Sequence, residues 1–125
     1  MIKYTFHGKL PGMNDINNKN RKNKYAGNNQ KQAIQNDIIV QIHAQGKKKV
    51  KKYPIQVHFD FFEGDKRRDP DNIFSSWKFI LDALKNAGVI VDDGQKYIKR
   101  LVPELYITKD KSYRVEVLIK EGINK

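Results

Sequence analysis

At the centre of the chain stands the stretch Ile55-Gln56-Val57-His58-Phe59-Asp60-Phe61, in which apolar and polar residues alternate strictly. Because successive side chains of a strand point to opposite faces of a sheet, this alternation predicts a strand with one buried face. Shorter alternations predict three more strands, over residues 2–6, 101–108 and 113–119, with residues 109–112 as a hairpin connection between the last two.

Two helices are predicted by apolar residues that recur with helical spacing, one over residues 29–45 and one over residues 71–87. Between residues 8 and 31 the chain is rich in Asn, Lys and Gly, which predicts a long loop, either a flexible connection or a segment ordered by binding. Four or so strands and two main helices predict a small mixed α/β (α+β) fold, with residues 1–125 as a single domain.

The composition excludes several classes of protein. Cys is absent, which rules out a disulfide framework, a thiolate zinc site and a cysteine nucleophile. No apolar run is long enough to span a membrane, and the first ten residues lack the layout of a signal peptide. A cytoplasmic protein without a membrane partner is therefore expected.

The charge is large and unevenly distributed. The chain carries 25 Lys and Arg residues against 14 Asp and Glu residues, a formal net charge of +11. Residues 1–52 hold 12 basic and 2 acidic side chains, whereas residues 53–97 hold 6 basic and 8 acidic ones. Such an excess indicates a polyanionic partner, nucleic acid or an anionic membrane. The acidic centre indicates a bound cation, because carboxylates repel a phosphate backbone unless a cation lies between them.

Two carboxylates flank a proline in the stretch Arg68-Asp69-Pro70-Asp71-Asn72. Pro70 disfavours the helical region for Asp69, so an extended backbone would turn Asp69 and Asp71 to the same side. Paired hard oxygen ligands suit Mg²⁺, which commonly takes one or two protein carboxylates together with water and substrate phosphate. Helix capping is the alternative, since Asp is a preferred N-cap, Pro is preferred at the first helical position, and Asp complements the helix dipole.

The predicted helix over residues 71–87 has an apolar and a polar side. Six residues form the apolar side: Ile73, Trp77, Ile80, Leu81, Leu84 and Ala87. At about 100° per residue, Lys78 falls on the polar side with Asp71, where its ammonium could reach a phosphate held near that carboxylate. A solvated i, i+4 pair between Lys78 and Asp82 is the alternative. The stretch Asp92-Asp93-Gly94 is either a turn or the return of a further carboxylate to the first two.

These residues form an ordered pattern: Arg68-Asp69-Pro70-Asp71-Asn72, then Lys78 and Leu81-Asp82-Ala83-Leu84, then Ala87-Gly88-Val89-Ile90-Val91-Asp92-Asp93. The pattern resembles the RusA family of Holliday-junction resolvases (crossover junction endodeoxyribonucleases), densely over residues 68–93 and loosely in the flanking strands. The resemblance implies a homodimer that resolves four-way DNA junctions by paired symmetric nicks during recombination and repair. It also implies Mg²⁺ or Mn²⁺ as the cofactor, branched DNA as the partner and no small-molecule cofactor.

The resemblance also implies roles for particular residues. Four aspartates are expected at the metal site: Asp69, Asp71, Asp93 and, as their neighbour, Asp92. The first three of them, together with Lys78, are expected to be the catalytic residues. The family commonly has its lysine at the position that Ser75 occupies here, and the spacing to Asp82 favours Lys78 as its counterpart.

Ten basic residues are expected to hold the DNA backbone: Lys19, Arg21, Lys22, Lys24, Lys47, Lys48, Lys49, Lys66, Arg67 and Arg68. The three histidines show no metal-ligand spacing, so surface or packing roles are expected for them. Two other functions remain open. One is a basic DNA-binding module without catalysis, in which the carboxylates only cap and turn. The other is a metal-dependent nuclease that acts on another branched or single-stranded DNA.

Overall fold

The computed structural model describes residues 1–16 and 24–123, with side chains in the second range described from Asn28 onward. Within those residues the chain forms seven helices and strands: β1 Ile2–His7, α1 Lys24–Ala44, β2 Ile55–Glu63, α2 Pro70–Phe74, α3 Trp77–Asn86, β3 Ile98–Ile107 and β4 Arg114–Lys120. Residues 13–16 add one helical turn. The mixed α+β fold with four strands is thus confirmed. No helix of the described residues is both long and apolar enough to cross a membrane.

The alternating stretch of residues 55–61 lies within β2, as predicted. Its apolar residues are buried, whereas His58 and Asp60 lie on the opposite face. The buried residues Ile38 and Ile42 of α1 and Leu84 of α3 belong to the same core. Each fully buried aliphatic or aromatic side chain contributes about 1.5–3 kcal/mol relative to an exposed one. The burial of these side chains therefore holds both helices against one face of the sheet.

The strand order in the sheet is β1-β4-β2-β3. β4 is antiparallel to both β1 and β2. β3 is parallel to β2, because α2 and α3 lie in the connection between these two strands and return the chain to the end of the sheet where β2 begins.

The predicted hairpin between the last two strands is therefore wrong. The chain leaves β3 and crosses the end of β2 before it enters β4, and the backbone N–H of Thr108 donates to the carbonyl of Glu63 at 2.9 Å on the way. Gly64 permits the crossing, since a Cβ at this position would overlap the backbone of Lys111. Residues 109–112 look like a hairpin turn locally, but both edges of β2 are paired, and the local sequence does not encode that pairing.

Two predicted boundaries of the first helix differ in their accuracy. Gly46 follows the helix with φ +88°, and its N–H donates to the carbonyl of His43, as expected of a C-terminal stop. The helix itself begins at Lys24 rather than near Asn29, so the predicted loop over residues 8–31 is shorter than expected. The remainder of that prediction, residues 17–23, lies outside the described residues.

The second predicted helix is broken into α2 and α3 at Ser75 and Ser76. Both hydroxyls donate to carbonyls three residues earlier, at 2.6 Å for Ser75 and 2.7 Å for Ser76. Such local side-chain bonds compete with the helical ladder, and the next backbone bonds tighten to the i→i−3 pattern. Most of the apolar side remains buried. The angle of about 100° per residue that placed Lys78 on the same side as Asp71 does not apply across this break, because the two residues lie on different helices.

Candidate functional site

The N-terminal segment of residues 10–16 docks against the start of α2. The backbone N–H of Met13 donates to Ser75 Oγ at 2.9 Å, and that of Asn14 donates to Asn72 Oδ1 at 3.2 Å. Gly12 is buried against Asn72, and a Cβ there would overlap both the side chain and the backbone oxygen of that residue. The N-terminal segment thus forms one wall beside the predicted acidic site.

Arg68 is a buried structural residue. Its guanidinium donates to Glu63 through Nε at 3.0 Å and NH2 at 2.8 Å, and through NH1 to the carbonyl of Leu10 at 2.7 Å. The Arg68 side chain is 11% exposed and that of Glu63 is 6% exposed. The DNA contact predicted for Arg68 stays a prediction, and its donors already hold the end of β2 and the N-terminal segment together.

Asp69 and Asp71 lie at the two sides of Pro70, where α2 begins. Asp69 occupies the N-cap position with an extended backbone (φ −70°, ψ 146°), as the following proline predicts, but its side chain makes no capping hydrogen bond. Asp71 lies in the first turn and is exposed. Neither carboxylate forms an ion pair within 4.0 Å with any described residue. Side-chain capping therefore does not account for Asp69, and both carboxylates are accessible to a cation.

Lys78 lies between two carboxylates. Its ammonium is 3.1 Å from Asp82 Oδ1, one turn along α3, and 3.7 Å from Asp93 Oδ2, in the segment that follows the helix. The hydrogen bond to Asp82 is the main cause that raises the pKa of Lys78 above its ordinary value. Lys78 is therefore positively charged throughout the physiological pH range while it remains 57% exposed.

Asp92 is directed away from this group. Its carboxylate accepts the backbone N–H of Asp93 at 2.8 Å and forms an ion pair with Lys85 at 3.2 Å. The backbone hydrogen bond, followed by the bond to Lys85, lowers the pKa of Asp92. The segment after α3 thus runs back along the helix, from Lys85 near its end to Lys78 in its first turn.

The three predicted metal ligands do not form a tight set within one chain. Among the described residues, one set of three potential ligand atoms lies mutually within 4.8 Å, and it consists of His58, Asp60 and Glu104 rather than Asp69, Asp71 and Asp93. The structure joins Asp93 to Lys78, whereas Asp69 and Asp71 stay at the start of α2.

The set of His58, Asp60 and Glu104 lies on the face of the sheet opposite the helices. His58 Nε2 is 2.8 Å from Asp60 Oδ1, and the hydroxyl of Tyr106 donates to Glu104 at 2.7 Å, so these groups already have partners. The strand alternation of residues 55–61 places His58 and Asp60 on one face, but Glu104 is brought beside Asp60 only by the pairing of β3 with β2.

A cleft of about 400 Å³ opens beside Lys78, between α1 and α3. Lys31 and Gln35 line it from α1, and Lys78 and Asp82 line it from α3. Lys31 was not among the predicted contacts, because only the packing of α1 against α3 brings it beside Lys78. The cleft offers room for an anionic group between two lysines.

The other predicted DNA contacts differ in position. Lys66 and Arg67 are exposed on the turn after β2, and residues 47–49 are exposed after α1. Lys19, Arg21 and Lys22 lie outside the described residues, as does the side chain of Lys24.

The chain matches no protein-family model. It also matches no curated protein sequence. The resemblance to the RusA family therefore depends on the motif of residues 68–93 and remains a prediction.

Proposed function

We propose that this protein is a Mg²⁺-dependent endodeoxyribonuclease that resolves four-way DNA junctions by paired nicks. The observation that carries the proposal is the 3.7 Å contact between Lys78 and Asp93. It joins the middle of the motif to its last carboxylate, as the proposed chemistry requires, while Asp69 and Asp71 stay exposed at the start of α2.

The chemistry of the donors fits Mg²⁺, which needs only one or two protein carboxylates when water and substrate phosphate complete its shell. Asp69 and Asp71 are the residues that would hold it, with Asp93 nearest to Lys78. Bound Mg²⁺ would supply a Lewis acid that offsets charge on the scissile phosphate and favours ionisation of water.

The residues of the chain supply the remaining contributions. Lys78, kept protonated by Asp82, would stabilise negative charge that develops on the phosphate, and Asp93 would orient its ammonium. The exposed side chains of Lys66 and Arg67 would hold the DNA backbone beside the site. A twofold homodimer would present one such site to each of two symmetric strands of a junction.

The test is a cleavage panel with Asp71→Asn and Asp93→Asn, and with Asp37→Asn as the matched control on exposed α1. Substrates are a four-way junction, a flap, a duplex and a single strand, each with Mg²⁺, with Mn²⁺ and with chelator. We expect the natural protein and Asp37→Asn to nick the junction, and the other two variants to lose this activity. Full nicking by both folded site variants would contradict the assignment of Asp71 and Asp93 as residues of the active site.

A non-catalytic DNA-binding module is the second candidate. The separation of Asp69, Asp71 and Asp93 favours it, since they do not form one tight ligand set in the described chain. This function predicts tight, salt-sensitive DNA binding that is insensitive to loss of Asp71, and no cleavage with either metal. Preferred cleavage of the flap or single strand would instead indicate a nuclease with the same catalytic residues that acts on a different DNA substrate.

A further inference from the structure

An open cleft of about 800 Å³ lies at the end of the sheet where β2 begins. Four cationic side chains line it: Lys51 and Lys52 before β2, Arg100 in β3, and Lys120 at the end of β4. These residues define the basic cleft. Lys120 and Arg100 both pair in register with Gln56, one on each side of it. The sheet therefore fixes two of the cations beside one another, about 10 Å apart across three strands.

Positive charges outnumber negative ones among the residues that line the basic cleft. None of the four cations has a described carboxylate within 4.0 Å. The cleft contains one carboxylate, Glu121, which accepts the backbone N–H of Lys51 at 2.7 Å. Cations that converge without partners repel one another, and an anionic ligand would relieve that repulsion.

We propose that the basic cleft binds backbone phosphates of nucleic acid. Small-molecule sites are mostly apolar with few polar groups, whereas four of the nine residues that line this cleft are Lys or Arg. The exposed lysines of residues 47–49 precede the cleft in the chain and continue its positive charge. Phosphate recognition of this kind is independent of base sequence.

The basic cleft is separate from Asp69 and Asp71, the proposed metal-binding residues at the start of α2. It adjoins the first residues of β2, whereas Asp69 follows the last ones, and a strand of that length spans about 30 Å. The identification of the nucleic acid as DNA rests on the proposed function. Binding to the cleft needs no metal, so its test is independent of cleavage.

The experiment compares two double variants with the same loss of charge. Arg100→Gln with Lys120→Gln removes two cations of the basic cleft, and Lys109→Gln with Lys111→Gln removes two exposed cations beyond the opposite end of β3. Binding of a 30-base-pair duplex (a length chosen for the probe, of roughly three helical turns) is measured by fluorescence anisotropy in chelator, at several salt concentrations. Circular dichroism and thermal unfolding establish that both variants fold.

We expect the cleft variant to bind about tenfold more weakly at low salt and to lower the slope of log K against log salt by about 1–2, since each phosphate contact contributes roughly 0.9. The control variant should bind like the natural protein, and Arg100→Lys should retain most of the affinity.

Unchanged affinity in the cleft variant, or an equal loss in both variants, would overturn the proposal. So would cleft-dependent binding to vesicles of phosphatidylserine and phosphatidylcholine together with cleft-independent binding to DNA. If the natural protein cleaves no DNA but its DNA binding depends on the basic cleft, the proposed nuclease activity is overturned and the proposed phosphate-binding cleft is retained.

Discussion

The ammonium of Lys78 lies 3.7 Å from Oδ2 of Asp93 and thereby ties the first turn of α3 to the segment that follows the helix. Asp82 lies on the other side of the same ammonium at 3.1 Å. A lysine held in this way has a defined position and a stable charge, and both are needed by a group that stabilises a phosphate.

Replacement of Lys78 should distinguish catalysis from structure. We expect Lys78→Gln to lower the rate of junction nicking by about 10²–10³, the usual cost of one charge-stabilising group at a reacting centre. Lys85→Gln is the matched control, because Lys85 lies on the same helix, is similarly exposed and also pairs with an aspartate. Single-turnover nicking rates measure the effect, and equal rates in the two variants would contradict a catalytic role for Lys78.

The pKa of Lys78 should depend on Asp82. Since the hydrogen bond to Asp82 is the first cause that raises the pKa of Lys78, we expect Asp82→Asn to lower this pKa. A raised lysine pKa stabilises the fold fully below the unfolded pKa, about 10.4, and that contribution is lost as the pH rises through the folded value. An NMR titration of the Lys78 side chain checks the shift, with Asp37→Asn as a control that should leave it unchanged.

The buried pair of Arg68 and Glu63 should matter for stability more than for DNA binding. Arg68→Gln leaves Glu63 buried without its partner, and loss of one member of a buried pair costs about 3–5 kcal/mol. Arg67→Gln, at the exposed neighbouring position, should change the free energy of unfolding by less than about 0.5 kcal/mol. Urea denaturation at neutral pH compares them. A stable Arg68→Gln protein that binds DNA weakly would restore the DNA-binding role predicted from the sequence.

Gly12 should tolerate no side chain. In Gly12→Ala the new Cβ would overlap the backbone of Asn72, so the N-terminal segment or α2 must shift, at a cost of about 1–3 kcal/mol. Gly94→Ala is the control, since its Cβ would meet nothing closer than Asp92 Oδ2 at 4.0 Å. Thermal unfolding measures the difference. Equal midpoints would show that the docking of the N-terminal segment on α2 contributes little.

The alternation of residues 55–61 was sufficient to predict β2 and its buried face, because side-chain direction in a strand depends only on position along that strand. The apolar spacing over residues 71–87 likewise predicted most of the buried residues, although Phe79 and Ala83 are buried outside the predicted set and Trp77 is only half-buried. It did not predict the break, because the apolar period continues while the two serine hydroxyls interrupt the ladder. The extended backbone of Asp69 followed from the proline after it.

Contacts between distant parts of the chain could not be derived in this way. The sequence presents Arg68 as one more surface cation, and only the fold brings Glu63 and the carbonyl of Leu10 to its guanidinium. Likewise, Arg100 and Lys120 line one cleft only because their strands pair with β2 on its two sides. Local periodicity encodes the faces of helices and strands from residues within a few positions of one another. The partner of a strand or a charge depends on which complementary surfaces the whole chain brings together, and that selection has no counterpart in any short stretch of sequence.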